Sequence, residues 1–478
     1  MGLATADEYA ERLKAMKPNI YVEGRRIGRD DPLLAKSINA LRFTFDAAQD
    51  PELKDLVVTE STLIGEPINR FTNLNYKQED LMAKLKKIRS MCHRVGGCIQ
   101  RCMATDTMNA LAVVTKDIDD AKGTDYHKRF LEFTKYYQKN DLVGSAAVTD
   151  AKGDRSKRPH EQADPDLYVR VVKKNKDGII VRGAKAHITM GPYVDEHLVI
   201  TTRALTKEEA DWAVAFAIPA DAEGIKIIAR FADTRPRHEL KAPYNQYGIA
   251  ESLVVFDNVF VPWERVFMCG EWEFGGHLAL TFANFHRHSY TACKPAVSDV
   301  IMGAAAMAAE YNGVANASHI KDEITEITVI AELAYAAGIA ASVEATRTPS
   351  GIYAPNALYA NCGRYITGVN VFHEFDILTA IAGGWPATMP YEKDWLSPAT
   401  KGYLEKYAMR NPKISAENQH RLFRFLSDYT TSASATWNLH AGVHGGGSPV
   451  MERIGIRNNY DLEAKKKIVK YLAGIEDD

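Results

Sequence analysis

The spacing of apolar residues changes twice along this chain, and these two changes constrain its fold more than any other feature. Up to residue 141, apolar residues recur three and four positions apart, as in Glu79–Val95, which is the period of an amphipathic helix. Between 142 and 275 the chain carries β-branched and apolar runs separated by Gly, Asp and Pro. Alanine-rich helical segments return from residue 276. Separate blocks of helices, strands and helices predict an α+β fold rather than alternating βαβ units.

The three blocks predict three domains, because 478 residues exceed what one hydrophobic core usually organises. We expect a helical domain over 1–141, a β-domain over 142–275 and a second helical domain over 276–478. The 59 Lys and Arg against 61 Asp and Glu argue against a protein that coats nucleic acid or an anionic membrane. Six cysteines are too few for a disulfide scaffold in a chain of this length.

Targeting signals are not evident in the sequence. Residues 1–17 contain acidic side chains and no apolar core, so we expect no signal peptide. The most apolar stretch, residues 300–309, is half the length of about 20 residues that a membrane span needs. We therefore predict a cytoplasmic protein with no nucleic-acid or membrane partner, whose cysteines are reduced or bound to metal.

Two pairs of metal-binding side chains lie at helical spacings. Cys98 and Cys102 are four residues apart, which places both thiols on one face of a predicted helix. His286 and Cys293 are seven residues apart, nearly two helical turns, and Tyr290 falls on the same stripe. Two such helices could hold a metal or an iron–sulfur cluster, but spacing alone favours buried core cysteines by about two to one. The remaining cysteines have no such partners, and we interpret all three as structural: Cys92, Cys269 and Cys362.

The segment VTDAKGDR (148–155) is a second candidate site, suited to an anionic ligand. Thr149 offers a hydroxyl, and Gly153 permits close approach of the backbone to a ligand. Lys152 and Arg155 can face a phosphate group. Taken alone, such a turn is more often an exposed, solvated loop, by about four to one.

These motifs stand in a chain that resembles the 4-hydroxyphenylacetate 3-hydroxylase family along its whole length, and within it the 4-hydroxybutyryl-CoA dehydratase branch. Segments that carry the resemblance include LIGEPINRFTNL, CIQRCMATD, TDAKGDRSKRP, GIIVRGAKAHIT, HRHSYTACK and HGGGSP. The resemblance implies an acyl-CoA dehydrogenase-like fold with a helical N-terminal domain, a central β-barrel-like domain and a C-terminal helical bundle. It also implies a homo-oligomer, a tetramer built as a dimer of dimers, in which Gly383 and Gly384 complete a neighbouring subunit's flavin pocket.

The resemblance implies two cofactors, FAD and a [4Fe–4S] cluster. The dehydratase branch holds the cluster with three cysteines and one histidine, spaced as are Cys98, Cys102, His286 and Cys293. This match favours cluster ligands over the buried core cysteines that spacing alone would suggest. The residues that match the FAD-binding segments are Val148, Thr149, Asp150, Ala151, Lys152, Gly153, Asp154, Arg155, His187, Ile188 and Thr189.

The activity that the resemblance implies is dehydration of 4-hydroxybutyryl-CoA, or a related hydroxyacyl-CoA, to crotonyl-CoA, with vinylacetyl-CoA isomerase activity. The C3 hydrogen of such a substrate is very weakly acidic, and acid–base catalysis alone contributes about 10²–10⁴-fold. A radical mechanism, with the flavin carrying the one-electron step, is therefore implied. The implied catalytic residues are His286 as iron ligand and base, Tyr290 as donor to the leaving hydroxyl, Glu251 as a carboxylate near the substrate, and Lys294 as a charge beside the cluster.

One position departs from the branch and keeps alternatives open. The dehydratases carry a glutamate three residues before the His444 motif HGGGSP, where this chain has Ala441, which predicts a different acyl-CoA substrate. Outside the family context, Glu251 is interpreted as an exposed residue at a strand end. The main alternative is an FAD-dependent two-component aromatic monooxygenase, which leaves the four cluster ligands without a role. A second alternative is an inactive oligomeric scaffold, supported by Ala441 and opposed by the intact motifs.

Overall fold

The computed structural model describes residues 3–475; residues 1–2 and 476–478, the ends of the first and third predicted domains, lie outside the described part. The N-terminal block is mainly helical, as the sequence predicts. Its elements are α1 (Ala6–Ala15), β1 (Ile20–Val22), β2 (Arg25–Ile27), α2 (Ala35–Gln49), α3 (Lys54–Val57), β3 (Val58–Glu60), β4 (Pro67–Asn69), α4 (Glu79–Val95), α5 (Cys102–Lys122) and α6 (Tyr126–Lys139).

The central block forms most of two sheets. Its strands are β5 (Gly144–Ala147), β6 (Arg170–Lys174), β7 (Gly178–Lys185), β8 (Glu196–Val199), β9 (Val214–Pro219), β10 (Ile225–Phe231), β11 (Ala250–Pro262) and β12 (Val266–Cys269). A six-stranded sheet has the order β2-β1-β10-β11-β7-β6, and a four-stranded sheet has the order β12-β9-β8-β5. Most pairs are antiparallel, but β5 and β8 are parallel.

Strands from the N-terminal block extend the larger sheet, which the sequence does not predict. Ile20 of β1 pairs in parallel with Ile227 of β10, so the sheet crosses the predicted boundary at residue 141. Strands of three residues are too short to show an alternating pattern. The segregation of helices and strands is confirmed, whereas the exact domain boundaries and the barrel-like form of the central domain stay predictions.

The C-terminal block is a helical bundle built around one long helix. Its elements are α7 (Gly275–Tyr311), α8 (Ser318–Val343), β13 (Thr346–Arg347), β14 (Tyr353–Ala354), α9 (Ala357–Ala382), α10 (Trp385–Thr388), α11 (Glu392–Leu396), α12 (Lys401–Tyr407), α13 (Ala416–Thr431), α14 (Ala433–His444), α15 (Pro449–Asn459) and α16 (Leu462–Ala473). The 37 residues of α7 extend over about 55 Å at 1.5 Å per residue. Helix α7 packs against α4, α5, α8 and α9, and so joins the two helical blocks.

Two helical segments are long and apolar enough to cross a membrane by length and composition, Trp272–Tyr311 and Ser318–Val343. The first includes α7, whose most apolar window is 67% buried, so its apolarity is that of a core helix. The second is α8, whose most apolar window is only 33% buried. This helix therefore leaves much of its apolar surface uncovered in the single chain.

Candidate active site

The loop that joins α4 to α5 brings Cys98 towards the core. Helix α4 ends at Gly96, whose left-handed φ of 68° turns the chain out of the helix. Gln100 has a φ of 68° as well, and its backbone N–H donates to Cys98 Sγ at 3.3 Å. The prediction that Cys98 and Cys102 share one helix is therefore wrong: Cys98 lies in this loop and Cys102 opens α5. The left-handed φ of Gln100 interrupts helical geometry between the two cysteines, so α5 begins only at Cys102.

The predicted cysteine ligands nevertheless converge. Hydrogen bonds from Cys92 and Cys98 lower the pKa of the Cys293 thiol, on the facing side of α7. The hydrogen bond to Cys293 and burial raise the pKa of Cys98, while burial and the nearby Asp106 carboxyl raise that of Cys102. These thiols belong to one buried cluster at the junction of α4, α5 and α7.

Cys92 was not predicted to belong to this group. Its thiol is buried, and burial together with the neighbouring Cys293 thiol raises its pKa, so the prediction that Cys92 has no cysteine partner is wrong, while its structural role stays a prediction. Cys92 lies on the apolar face of α4, where its spacing does not distinguish it from an ordinary core residue. The contact joins residues that lie about 200 positions apart in the chain, and only the packing of α4 on α7 brings them together.

His286 is held by a hydrogen bond to a carboxylate and by two aromatic rings. Its Nδ1 lies 2.9 Å from Oδ2 of Asp106, a fully buried residue of α5. The ring of Phe282 stacks on the imidazole at a centroid distance of 5.4 Å, and the ring of Tyr290 meets it edge-on at 4.9 Å. His286, Tyr290 and Cys293 share one face of α7, in agreement with the predicted stripe.

The HGGGSP motif packs directly on this stripe. A Cβ at Gly445 would overlap the hydroxyl of Tyr290, so only glycine fits there. Burial raises the pKa of Tyr290 well above its usual value, which keeps the phenol protonated. The Arg364 guanidinium lies 4.5 Å from the Tyr290 ring and donates through Nε to Gly445 O at 3.1 Å. Lys294 is buried next to Cys293, with its Nζ 5.5 Å from the Tyr290 ring.

Glu251 lies at the start of β11, and its carboxylate is enclosed. Oε1 accepts hydrogen bonds from Thr189 Oγ1 and Trp437 Nε1, both at 2.7 Å. Oε2 is buried with no hydrogen-bond partner, and burial raises the pKa of the carboxyl. The interpretation of Glu251 as an exposed residue at a strand end is therefore wrong. Trp437 and Cys98 line the same small cleft, so one hydrogen-bond partner of the Glu251 carboxylate lies beside a predicted cluster ligand.

The predicted flavin segment 148–155 follows β5 and is anchored by an ion pair. Asp150 Oδ1 lies 2.8 Å from Lys185 Nζ, and both side chains are buried. Lys152 and Gly153 have left-handed φ values of 71° and 57°. Beyond this anchor, Gly153, Asp154 and the other residues of the turn are largely exposed.

Positive side chains gather at this turn. Burial and the charges of Arg155 and Arg203 lower the pKa of Lys152. Arg203 was not predicted, because it lies some 50 residues further along the chain in a segment without a recognisable pattern. The carboxylates of Asp150 and Asp154 contact neighbouring protein groups instead. Asp150 pairs with Lys185, and Asp154 Oδ1 accepts a hydrogen bond from Ser156 Oγ at 2.7 Å. These two carboxylates shape the turn.

The second predicted flavin segment lies between β7 and the Glu251 carboxylate. His187 is exposed, with a left-handed φ of 58°. Ile188 is buried, and its backbone N–H donates to Ser252 O at 2.9 Å. Thr189 donates to Glu251, so this segment is in direct contact with a predicted catalytic residue.

Two ionisable residues lie near Ala441 in the sequence, His440 and Glu452. Ala441 O is 3.5 Å from the hydroxyl of Tyr290. His440 is largely exposed and bonds to Thr436 O. Glu452 is fully buried, and its Oε1 lies 3.4 Å from Arg364 Nε. Within residues 3–475, no three His, Cys, Asp or Glu side chains are grouped to hold a single metal ion.

Comparison with known proteins defines the class to which this fold and site belong. The profile of the 4-hydroxyphenylacetate 3-hydroxylase N-terminal region matches residues 5–268, and that of the C-terminal region matches residues 276–474. These matches cover nearly the whole chain. The protein therefore belongs to the 4-hydroxyphenylacetate 3-hydroxylase family, as predicted from its motifs.

Individual relatives place the chain within that family. It is 41% identical over 99% of its length to the whole of 4-hydroxybutyryl-CoA dehydratase/vinylacetyl-CoA-Δ-isomerase from Clostridium aminobutyricum. It is 28% identical, over 98% of its length and 96% of the relative, to the 4-hydroxyphenylacetate 3-monooxygenase oxygenase component of Thermus thermophilus. The similarity to the dehydratase is thus clearly the greater of the two.

Solved structures give the same ranking. An oxygen-tolerant archaeal 4-hydroxybutyryl-CoA dehydratase from N. maritimus matches with a TM-score of 0.95 and 38% identity, over 100% of this chain and 96% of that one. An oxygenase component of 4-hydroxyphenylacetate 3-monooxygenase complexed with FAD matches with a TM-score of 0.89 and 26% identity, over 98% of each chain.

Proposed function

We propose that this protein is a lyase that removes water from 4-hydroxybutyryl-CoA or a related hydroxyacyl-CoA to give crotonyl-CoA or its counterpart, with vinylacetyl-CoA isomerase activity. The observation that carries the proposal is the convergence of Cys98, Cys102, Cys293 and His286 at the junction of α4, α5 and α7. The 41% identity to a full-length dehydratase/isomerase supports the same activity.

The side chains at this junction fit a [4Fe–4S] cluster. Three thiols and one imidazole form a donor set that iron–sulfur clusters accept, and each iron of a cluster takes a single protein ligand. The donors therefore need not crowd around one ion. His286 has Nε2 available for a ligand, since Nδ1 is bonded to Asp106. Because Cys98 and Cys102 have raised pKa values, cluster binding would release their protons.

The turn after β5 fits the negatively charged part of FAD. Lys152, Arg155 and Arg203 gather their charges there, and Gly153 has the left-handed backbone that a close approach to phosphate uses. Relatives of the same fold are known in complex with FAD. We therefore infer that residues 148–155 and 187–189 bind FAD.

When bound, the flavin supplies one-electron chemistry and a cluster iron supplies a Lewis acid for the substrate hydroxyl. The protein's own groups hold and move the protons. Tyr290 keeps its proton at neutral pH and donates a hydrogen bond to the leaving hydroxyl. Glu251 has an unpartnered Oε2 and a raised pKa, which suit a group that takes and returns a substrate proton. Lys294 adds a buried positive charge beside Cys293.

The proposal also covers the assembly. We infer a homo-oligomer, a tetramer as a dimer of dimers, supported by large apolar side chains that the single chain leaves exposed on α8 and α9: Val329, Leu333, Val369 and Phe372. The turn at Gly383 and Gly384 follows α9, where a partner subunit would complete the flavin pocket. The proposal also includes an acyl-CoA dehydrogenase-like fold with a barrel-like central domain. It further includes a cytoplasmic location without nucleic-acid or membrane partners.

The test is the cofactor content and activity of protein purified without oxygen. We expect FAD, about four irons per chain with matching sulfide, and formation of crotonyl-CoA from 4-hydroxybutyryl-CoA. Cys102→Ser should lose iron, whereas Cys362→Ser, on α9, should retain it. Protein that binds no iron but hydroxylates phenols with reduced FAD would instead be the monooxygenase.

The position of Ala441 sharpens the substrate part of this test. We propose that the cluster and flavin are retained while the preferred acyl group differs, because Ala441 stands where the dehydratases carry a glutamate, and its carbonyl lies 3.5 Å from the Tyr290 hydroxyl. A panel of hydroxyacyl-CoA thioesters of different chain length and hydroxyl position should then include one that turns over faster than 4-hydroxybutyryl-CoA. Highest turnover with 4-hydroxybutyryl-CoA itself would contradict the altered substrate but not the reaction class.

A further inference from the structure

Asp106, in the second turn of α5, is the hub of a buried polar network beside His286. Its Oδ1 accepts from Lys84 Nζ of α4 at 3.0 Å, and its Oδ2 lies 2.9 Å from His286 Nδ1 of α7. Ser289 Oγ, one turn beyond His286, reaches both oxygens at 2.9 and 2.8 Å. The carboxylate of Asp106 on α5 thus contacts side chains of both α4 and α7, the helices that pack around the proposed cluster ligands.

This network determines which nitrogen of His286 carries the proton. A carboxylate oxygen accepts the hydrogen bond from Nδ1–H, so in the neutral imidazole, the form that binds metal, the lone pair lies on Nε2. The Lys84 ammonium compensates the buried charge of Asp106, and the pair is almost fully enclosed. Phe282 and Tyr290 hold the plane of the imidazole but distinguish poorly between its two nitrogens.

We propose that Asp106 is a positioning residue that fixes His286 in the Nδ1–H tautomer and presents Nε2 to the iron. The inference rests on the proposed function, because it requires a cluster at this site. Partners of this kind orient metal-binding histidines, and their loss typically lowers metal affinity or activity about 10- to 100-fold. Asp106 contacts Nδ1 of His286, so it would act on a bound iron only through the imidazole ring.

The test replaces Asp106 with asparagine. The Asn amide can turn its NH₂ towards Nδ1, which moves the ring proton to Nε2 and blocks ligation. We expect Asp106→Asn to release iron to a chelator about 10- to 100-fold faster than the wild type. Pulsed EPR of the reduced cluster should also lose the coupling of a directly bonded histidine nitrogen. These readouts respond to ligation and do not require turnover.

A matched control exists on the same two helices. Asp117 of α5 contacts His277 of α7, with Oδ2 2.9 Å from Nε2, but this pair is partly exposed and lies away from the thiols. Asp117→Asn should leave iron release and the EPR coupling unchanged. If Asp106→Asn does not fold, Lys84→Met/Asp106→Asn keeps the buried region neutral and serves as the second variant.

A measurement on the wild type makes the inference testable without any variant. Histidine labelled with ¹⁵N at Nε2 alone should show the directly bonded coupling, and coupling from Nδ1 would overturn the inference. An Asp106→Asn protein with unchanged iron release and unchanged coupling would overturn it as well. A wild type that binds no cluster would instead overturn the proposed function, and the role of Asp106 with it.

Discussion

At the scale of single residues, Glu251 combines two hydrogen-bonded contacts at Oε1 with a buried, unpartnered Oε2. Glu251→Gln keeps an oxygen that accepts from Thr189 and Trp437 but cannot carry a proton between substrate positions. We expect turnover to fall by about 10²–10⁴-fold, with FAD and iron contents unchanged. The rate of product formation, normalised to cofactor content, measures this. The exposed Glu223→Gln should retain wild-type activity, and a Glu251→Gln enzyme within a few-fold of wild type would remove Glu251 from the chemistry.

Glu374 of α9 is a buried carboxyl outside the proposed chemistry. It accepts a hydrogen bond from Ser298 Oγ at 2.8 Å, and burial raises its pKa to about 7. The folded protein therefore binds this proton more tightly than the unfolded chain, whose carboxyl has the usual value of about 4.3. Stability from this group is lost as pH rises from about 4.3 to about 7 and stays low above that range.

Glu374→Gln removes this titration while keeping an oxygen for Ser298. We expect the variant to unfold at a higher temperature than the wild type at pH 8 and at nearly the same temperature at pH 4, below the pKa of the unfolded chain. Thermal unfolding at the two pH values measures the difference. Asp376→Asn, at an exposed position of the same helix, should show no such dependence. An equal shift at both pH values would show that Glu374 does not titrate as described.

The sequence indicated the chemistry of the site but not its full environment. Cys102, His286 and Cys293 were identified from spacing and resemblance, and the structure brings them together. Asp106 lies 180 residues from its histidine partner, and Arg203 lies about 50 residues from the turn it joins. Contacts of that range depend on how helices and sheets pack, for which the local sequence carries no periodic signal.

At the scale of elements, α7 and α8 approach closely at Gly338. A Cβ there would lie 2.8 Å from the Cβ of Thr291 and would overlap its hydroxyl. Gly338→Ala should therefore destabilise the protein by about 1–3 kcal/mol, the usual cost of overpacking. Gly303→Ala on α7, where a Cβ meets nothing within 4 Å, should be neutral or stabilising. Denaturant unfolding measures the free energy of unfolding of Gly338→Ala and Gly303→Ala. Equal values for the two variants would contradict the close packing of α7 and α8 at Gly338.

The order of the helical and strand blocks could be predicted because periodicity is a local property. The long helices α7, α8 and α9 fall in the predicted C-terminal block, and β7 and β11 fall in the predicted strand block. The parallel pairing of β1 with β10 was not predicted, since it joins residues about 200 positions apart. The position of Cys98 outside a helix was missed because the left-handed φ of Gln100, which the spacing of the cysteines does not reveal, separates Cys98 from α5.

At the scale of the whole molecule, the uncovered apolar face of α8 has a measurable consequence. Leu333 is 53% exposed in the single chain, a large apolar surface to leave in water. If this face lies between subunits, Leu333→Asp should lower the mass in solution from the proposed tetramer. Lys321→Glu, also on α8 but already polar, should leave the mass unchanged. Analytical ultracentrifugation distinguishes these outcomes, and an unchanged Leu333→Asp assembly would place the interface elsewhere.

The continuity of α7 restricts how the gene for this protein can change. One helix carries His286, Tyr290 and Cys293, so their angular phase about its axis depends on the number of residues between them. Inserting a single codon between His286 and Cys293 would rotate everything beyond it by about 100° and shift it by about 1.5 Å. Single substitutions between His286 and Cys293 leave this angular phase unchanged, whereas an insertion or deletion there alters it. Insertions and deletions in descendants of this gene should therefore fall outside this stretch.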